Sequence, residues 1–334
     1  MQKRIALWDN LKLFLIFLVV LGHYISGYYP DTPVFGPIYL IIYTFHMPAF
    51  IFVSGLFSKR AVNGDKFPGK RIFTFIMLYF MTRVLTYLSN IMVFHKKINF
   101  DIFSVSAVPW YMLAMAMWYA ITWVVKNYDS KYVLIVSITI ACFAGYMKGD
   151  SDFLAILRVI TFFPFFYCGY ILEPEKIEKF TAKAPVKIFS ALYLAAFSIG
   201  CFIKFNIASK FYPLLVGRQK FANLGRAADY AYILRFMYYI GVGLMVLAII
   251  SLCPRREFKF TKFGKLTLQI YVFHRPVIYI LKNAGVLDMI QGLGTGWELV
   301  AAAVCVLITA VLCLKIFTIP IDFITNPKPR KSTE

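Results

Sequence analysis

Apolar residues run along this chain in blocks of membrane-spanning length, with short polar breaks between them, from near its first residue to near its last. A hydrocarbon core of about 30 Å needs about 20 helical residues to cross it. Ten blocks meet or approach that length, at 9–29, 36–57, 71–94, 107–125, 132–147, 153–172, 187–203, 231–252, 264–281 and 297–318. In lipid every backbone N–H and C=O must be satisfied inside its own segment, so such blocks read as helices. The pattern predicts an all-α integral membrane protein, a polytopic bundle of about ten transmembrane helices. Residues 1–334 read as one transmembrane domain, without internal repeat, low-complexity tract or soluble appendage.

Composition agrees with that reading. The chain is 60% hydrophobic and 18% aromatic with only 16% charged, too little polar surface to cover a soluble domain. Lys3 and Arg4 precede the first block, which continues through Tyr28 without a small-residue cleavage site, so it reads as a retained helix rather than a signal peptide. The six cysteines lie singly in or beside apolar blocks, with no metal-ligand spacing, and read as free thiols.

The net charge of +20 would suggest a nucleic-acid partner in a soluble protein. Here its distribution sets topology instead. Ten spans put both termini on one side; the loops of that side hold 21 Lys and Arg against 9 in the opposite loops, with 6 inside spans. The excess predicts both termini in the cytoplasm, N-in and C-in. The long external loop, 204–230, is also basic, and two readings fit it: a surface for an anionic acceptor, or contact with lipid headgroups.

A charge at the bilayer centre costs about 3 kcal/mol, so ionisable residues inside spans call for a partner, a wet cavity or a function. Asp9, Lys12, His23, His46, Arg83, Arg158, Arg235, His274 and Arg275 all lie there. Lys12 and His23 are 11 residues apart, which puts them on one helix face about 16 Å apart along the axis. That spacing suits an acyl carrier with phosphates at Lys12 and its thioester near His23. A plainer reading pairs Lys12 with Asp9 and leaves His23 bonding a neighbouring helix.

In the second block, FHMPAFIFVSG, Pro48 removes the hydrogen bond to the Thr44 carbonyl and loosens the helix beside His46. His23 and His46 lie about equally far from the turn joining their helices, so antiparallel neighbours place both imidazoles at similar depth. Imidazole takes and returns a proton near neutral pH, which makes His23 and His46 the catalytic candidates and His23 the first choice of general base. Ser54 has no GxSxG context and reads as a packing residue. Arg71 closes the cluster Lys59, Arg60, Lys66, Lys70, which reads as a phosphate grip or as positive-inside anchoring. Arg158 and Arg235 sit in aromatic runs where a guanidinium cannot lose its proton, so each fixes an anion or pairs with a buried acid. His274 and Arg275 add a third mid-span imidazole, while His95 reads as interfacial.

These residues resemble the acyltransferase 3 superfamily, and within it the bacterial fucose 4-O-acetylases and related acetyltransferases. The resemblance rests on DNLKLFLIFLVVLGH at 9–23, FHMPAFIFVSG at 45–55, the basic cluster ending at Arg71, PWYML at 109–113, RVITFFPFFYCGY at 158–170 and GKLTLQIYVFH at 264–274. It implies ten transmembrane helices in the cytoplasmic membrane of a bacterium, acetyl-CoA as donor, no metal, and an acceptor hydroxyl on a cell-envelope glycan or lipid-linked sugar. By the resemblance His23 and His46 are catalytic, and Lys12, Arg71 and Arg158 hold the donor; Asp9, Arg235 and His274 are additional candidates. Thr267 departs from a usual serine. Some relatives carry an SGNH hydrolase-like domain that completes transfer; none is read in this chain, so it acts directly or through a separate extracytoplasmic partner. A transporter or flippase of a lipid-linked glycan also needs buried charge and is the competing reading; a non-catalytic membrane module is the third.

Overall fold

The computed structural model describes residues 6–94, 101–105 and 108–326, and 79% of them are helical. His95, Lys3 and Arg4 lie outside the described residues. No strand occurs among those described, apart from an isolated bridge between Ser104 and Phe153. Ten helices have 14 residues or more: α1 (Ala6–Ile25), α2 (Phe35–Leu56), α3 (Gly69–Phe94), α4 (Trp110–Val125), α5 (Ser130–Phe143), α6 (Ile156–Ile171), α7 (Ala184–Ile203), α8 (Ala231–Leu252), α9 (Thr267–Asn283) and α10 (Trp297–Val311). They fall on the ten predicted blocks in order.

Length and apolar composition qualify fewer of them as spans. Among the described residues five helices are at least 18 residues long and apolar enough to cross a membrane, and the total rises to seven if two bent pairs each count once. Those pairs are α6 with Pro174–Thr181, bent by 93°, and α10 with the helical stretch 315–325, bent by 64°. The difference from ten arises because α4, α5 and α9 are only 16, 14 and 17 residues long. A count of apolar residues along the sequence does not register the turn that ends a helix.

Burial separates the centre of the bundle from its rim. The apolar windows of α1 and α2 are each 67% buried and that of α7 only 11% buried, so α1 and α2 form the core and α7 is a rim helix. Ile188, Phe189 and Leu192 of α7 point outward, as expected of side chains that face lipid.

Helices α2 and α6 make the most extensive packing in the bundle. They cross where two glycines remove side chains from the interface. A Cβ on Gly55 would meet the Phe166 carbonyl, and a Cβ on Gly169 would meet the Phe52 carbonyl. Small residues allow this backbone approach, on which helix association in lipid depends. Trp118 braces the same region, with Nε1 donating to the Val159 carbonyl at 3.0 Å and its ring 5.5 Å from Phe166.

Helix α1 is tied to a segment far away in sequence. Asn10 Nδ2 donates to the carbonyls of Pro254 and Arg256 at 2.9 Å each, and Thr261 Oγ1 donates to Asn10 Oδ1 at 2.6 Å. Gly264 packs directly on the Asp9 backbone. The segment so held leads into α9, which makes α1 and α9 neighbours.

The glycine crossing yields a direct expectation. Gly169→Val forces backbone apart at the α2–α6 contact and should cost about 1–3 kcal/mol, read as a lower unfolding midpoint in detergent. Gly200, whose Cβ would meet nothing within 4 Å, supplies the control: Gly200→Ala should leave that midpoint unchanged.

Candidate active site

Helices α1, α2, α3, α6 and α9 splay around a cavity of about 640 Å³. Its polar lining includes His23, His46, Arg83, Asp101, Arg158, Arg218 and Arg275, and its aromatic lining includes Tyr39, Tyr43, Trp110, Tyr212, Tyr271 and Tyr279. His46 and Arg158 both precede the glycine crossing on their helices and both line the cavity, so α2 and α6 run the same way. His46 is 9 residues before Gly55 and Arg158 is 11 before Gly169, which puts them about 14 Å and about 16 Å from the crossing.

His23 lies near the C-terminal end of α1 and is half-buried. Arg275 Nη1 donates to its Nδ1 at 3.1 Å, and the His274 ring lies 5.1 Å away, tilted by 31°. This meeting of α1 with α9 follows from the Asn10 clasp. His46 is buried, with Nδ1 donating to the Ile42 carbonyl at 2.6 Å and its ring edge-on to Tyr43 at 4.9 Å. His274 is fully buried, donates from Nδ1 to the Tyr271 carbonyl at 2.7 Å, and has no partner for Nε2 among the described residues. It stands behind His23 and does not line the cavity.

The cations are seated on aromatic faces. Arg158 lies 5.1 Å over Trp110, and Arg275 lies 4.7 Å over Tyr279. Such placement offsets part of the cost of keeping a guanidinium away from water. Prolines loosen the site helices: Pro48 follows His46 by two residues, Pro276 follows Arg275 directly, and Pro164 interrupts α6.

A tyrosine cluster forms part of the cavity wall. The tilted rings of Tyr39 and Tyr43 lie 4.0 Å apart and those of Tyr29 and Tyr39 4.5 Å apart, and the hydroxyls of Tyr39 and Tyr212 are 3.0 Å apart. Tyr212 opens the short helix Tyr212–Val216 in the 204–230 segment, which places Leu215, Val216 and Arg218 over the cavity as well. Arg218 is anchored there by Asp152 at 2.9 Å.

The sequence candidates therefore separate into two groups. His23, His46 and Arg158 share the cavity, while Lys12, Arg71, Asp9, Arg235 and His274 are not part of its lining. Lys12 pairs with Asp9 at 2.9 Å near the opposite end of α1, as the plainer reading of that helix had it, and Arg71 is exposed at the start of α3. Arg235 is buried on α8 between Phe221 and Tyr238, at 5.6 and 5.0 Å, and its Nη1 donates to the Leu214 carbonyl at 2.6 Å. It clamps the segment that covers the cavity. Ser54 donates to the Phe50 carbonyl and contacts the Tyr111 hydroxyl at 2.6 Å.

Sequence reasoning named Arg83 as an in-span charge but missed Thr86 and Asn90, which follow it at helical spacing into the cavity, and the tyrosine wall. The spacing of 83, 86 and 90 inside an apolar block was a signal available in the sequence. Among the described residues no group of three or more His, Cys, Asp or Glu is arranged to hold a metal ion. The six cysteines are free thiols, buried or half-buried.

Compared with known protein families, residues 5–315 match the family model described as an acyltransferase domain. No curated protein and no solved structure matches the chain.

The clamp at Arg235 is testable by itself. Arg235→Leu leaves the Leu214 carbonyl without its donor, at a cost of about 1–3 kcal/mol. Limited proteolysis should then cut within 204–230 faster than in the parent protein.

Proposed function

The chain belongs to the acyltransferase 3 family, and from that premise we propose that this membrane acyltransferase moves an acetyl group from acetyl-CoA to a hydroxyl of a cell-envelope glycan or lipid-linked sugar. The observation that carries this reading is the convergence of His23, His46 and Arg158 on one cavity. An imidazole in this cavity can take the proton of the attacking hydroxyl and return it to the leaving thiolate, and a second can hold the reacting carbonyl. Nearby fixed cations stabilise the charge that develops on the thioester oxygen. No observation favours the transporter or flippase reading.

In this reading the ten helices all cross the cytoplasmic membrane with both termini inside, and the bacterial envelope supplies the acceptor. Lys12 and Arg71 lie near the ends of α1 and α3 remote from the imidazoles and take the phosphates of the donor. Lys12 is 11 residues from His23, about 16 Å along the axis, a distance that the flexible arm of the carrier bridges. Arg158 holds the donor within the cavity. The acceptor enters from the opposite face, beneath the 204–230 segment, and the product leaves there directly or through a separate partner.

Incubation of purified protein with labelled acetyl-CoA tests the reaction through acyl transfer and free-thiol release. His23→Ala and His46→Ala should each lower turnover by about 10² or more while the protein stays folded. Lys12→Ala and Arg71→Ala should instead raise the donor KM by about tenfold and spare turnover. Wild-type turnover in both histidine variants would move the chemistry out of this cavity. Orientation is checked separately by placing a cysteine near residue 215 and treating intact cells with an impermeant thiol reagent. Labelling from outside is expected, and protection until the cells are lysed would reverse the topology.

A further inference from the structure

The two cavity imidazoles differ in a way that follows from which of their partners can only donate and which can only accept. A guanidinium has five N–H donors and no acceptor. The 3.1 Å contact from Arg275 Nη1 to His23 Nδ1 therefore needs a lone pair on Nδ1, and a neutral His23 carries its proton on Nε2. A backbone carbonyl has no proton to give. The 2.6 Å contact from His46 Nδ1 to the Ile42 carbonyl therefore needs the proton on Nδ1, which leaves a lone pair on His46 Nε2. The two histidines that share the cavity are held in opposite tautomers.

We propose that Arg275 is a positioning residue that locks His23 as the Nε2–H tautomer, so that His46 is the base and His23 a hydrogen-bond donor to the reacting carbonyl. This rests on the acyl-transfer reading of the cavity and assigns the roles within it. In the transfer step His46 Nε2 takes the acceptor hydroxyl proton as the acceptor oxygen bonds to the thioester carbon. The C–S bond breaks, and protonated His46 returns the proton to the departing thiolate. His23 gives up no proton. Its Nε2–H holds the carbonyl oxygen while negative charge gathers there, with the Arg275 cation behind the ring strengthening that donor.

The surroundings of Arg275 suit a fixed role. Its guanidinium lies 4.7 Å over the Tyr279 ring, and α9 is bound to α1 through the Asn10 clasp. With the guanidinium removed, His23 has no hydrogen-bond partner among the described residues that selects a tautomer. The Nδ1–H form would then turn a lone pair toward the carbonyl oxygen and repel it.

Nitrogen-15 NMR of the full chain labelled on its histidines, in lipid bilayers, reads the tautomers without any substrate. The His23 and His46 signals are assigned through His23→Gln and His46→Gln variants. His23 should show protonated Nε2 and bare Nδ1, and His46 the reverse. Arg275→Met should give a mixture at His23, leave His46 unchanged, and lower kcat for acetyl-CoA turnover about tenfold or more, with donor KM within about threefold. Arg275→Lys, whose side chain also only donates, should restore the His23 tautomer and most of the rate. Protonated Nδ1 on His23 in the parent protein, or an unchanged His23 spectrum in Arg275→Met, overturns the proposal. If the parent shows the stated tautomers but transfers no acyl group from acetyl-CoA, the acyl-transfer reading fails while the Arg275 lock stands.

Discussion

The backbone contact between α2 and α6 at Gly55 and Gly169 is the fixed point from which the rest of the bundle is arranged. Beyond that contact, toward the start of each helix, α2 and α6 carry His46 and Arg158, and both side chains line the cavity. In lipid, apolar side chains gain little by leaving one apolar medium for another, so close backbone packing has to supply the association. The glycine crossing concentrates that packing away from the site and leaves the other end free to hold polar groups.

Aromatic faces and backbone carbonyls of the protein hold those polar groups. Arg158 rests on Trp110, Arg275 on Tyr279, and Arg235 between Phe221 and Tyr238 with the Leu214 carbonyl as acceptor. The same device serves two ends. At Arg158 and Arg275 the aromatic face presents a cation to the cavity, whereas at Arg235 it fastens the segment that covers it. Aromatic content of 18% is thus partly a means of holding guanidinium groups inside an apolar bundle.

The sequence made the helices legible because apolar run length is a local property. All ten blocks correspond to helices of 14 residues or more, although only five to seven have the length and composition of a span. It also made His23 and His46 legible as a pair, since consecutive antiparallel helices are neighbours and depth can be counted from their shared turn. What it could not convey is adjacency between remote helices. Nothing in the spacing of residues 9–23 or 264–281 shows that Asn10 is bonded to Pro254, Arg256 and Thr261, yet that clasp brings Arg275 to His23. The tyrosine wall was hidden for the same reason, because Tyr29, Tyr39 and Tyr212 become one surface only when the 204–230 segment folds back over the bundle. Lys12 and Arg71 were visible as charges in or beside spans, and the spacing of 11 residues already set Lys12 about 16 Å from His23.

The position of the cavity along α1 bears on how donor and acceptor share it. His23 is near the C-terminal end of that helix and Lys12 near its start, so the imidazoles lie closer to the face covered by residues 204–230 than to the end where α1 begins. In the proposed reaction a carrier gripped at the Lys12 end reaches such a site by extending its flexible arm along α1. An acceptor arriving from the covered face meets a cavity lined by Tyr39, Tyr212 and Arg218 beside the imidazoles. The asymmetry fits a long flexible donor and a bulky hydrated acceptor, each approaching from the side its shape permits. In the proposed reaction it also keeps the anionic phosphates of the donor away from the base, so their charge does not oppose the negative charge that builds on the carbonyl oxygen.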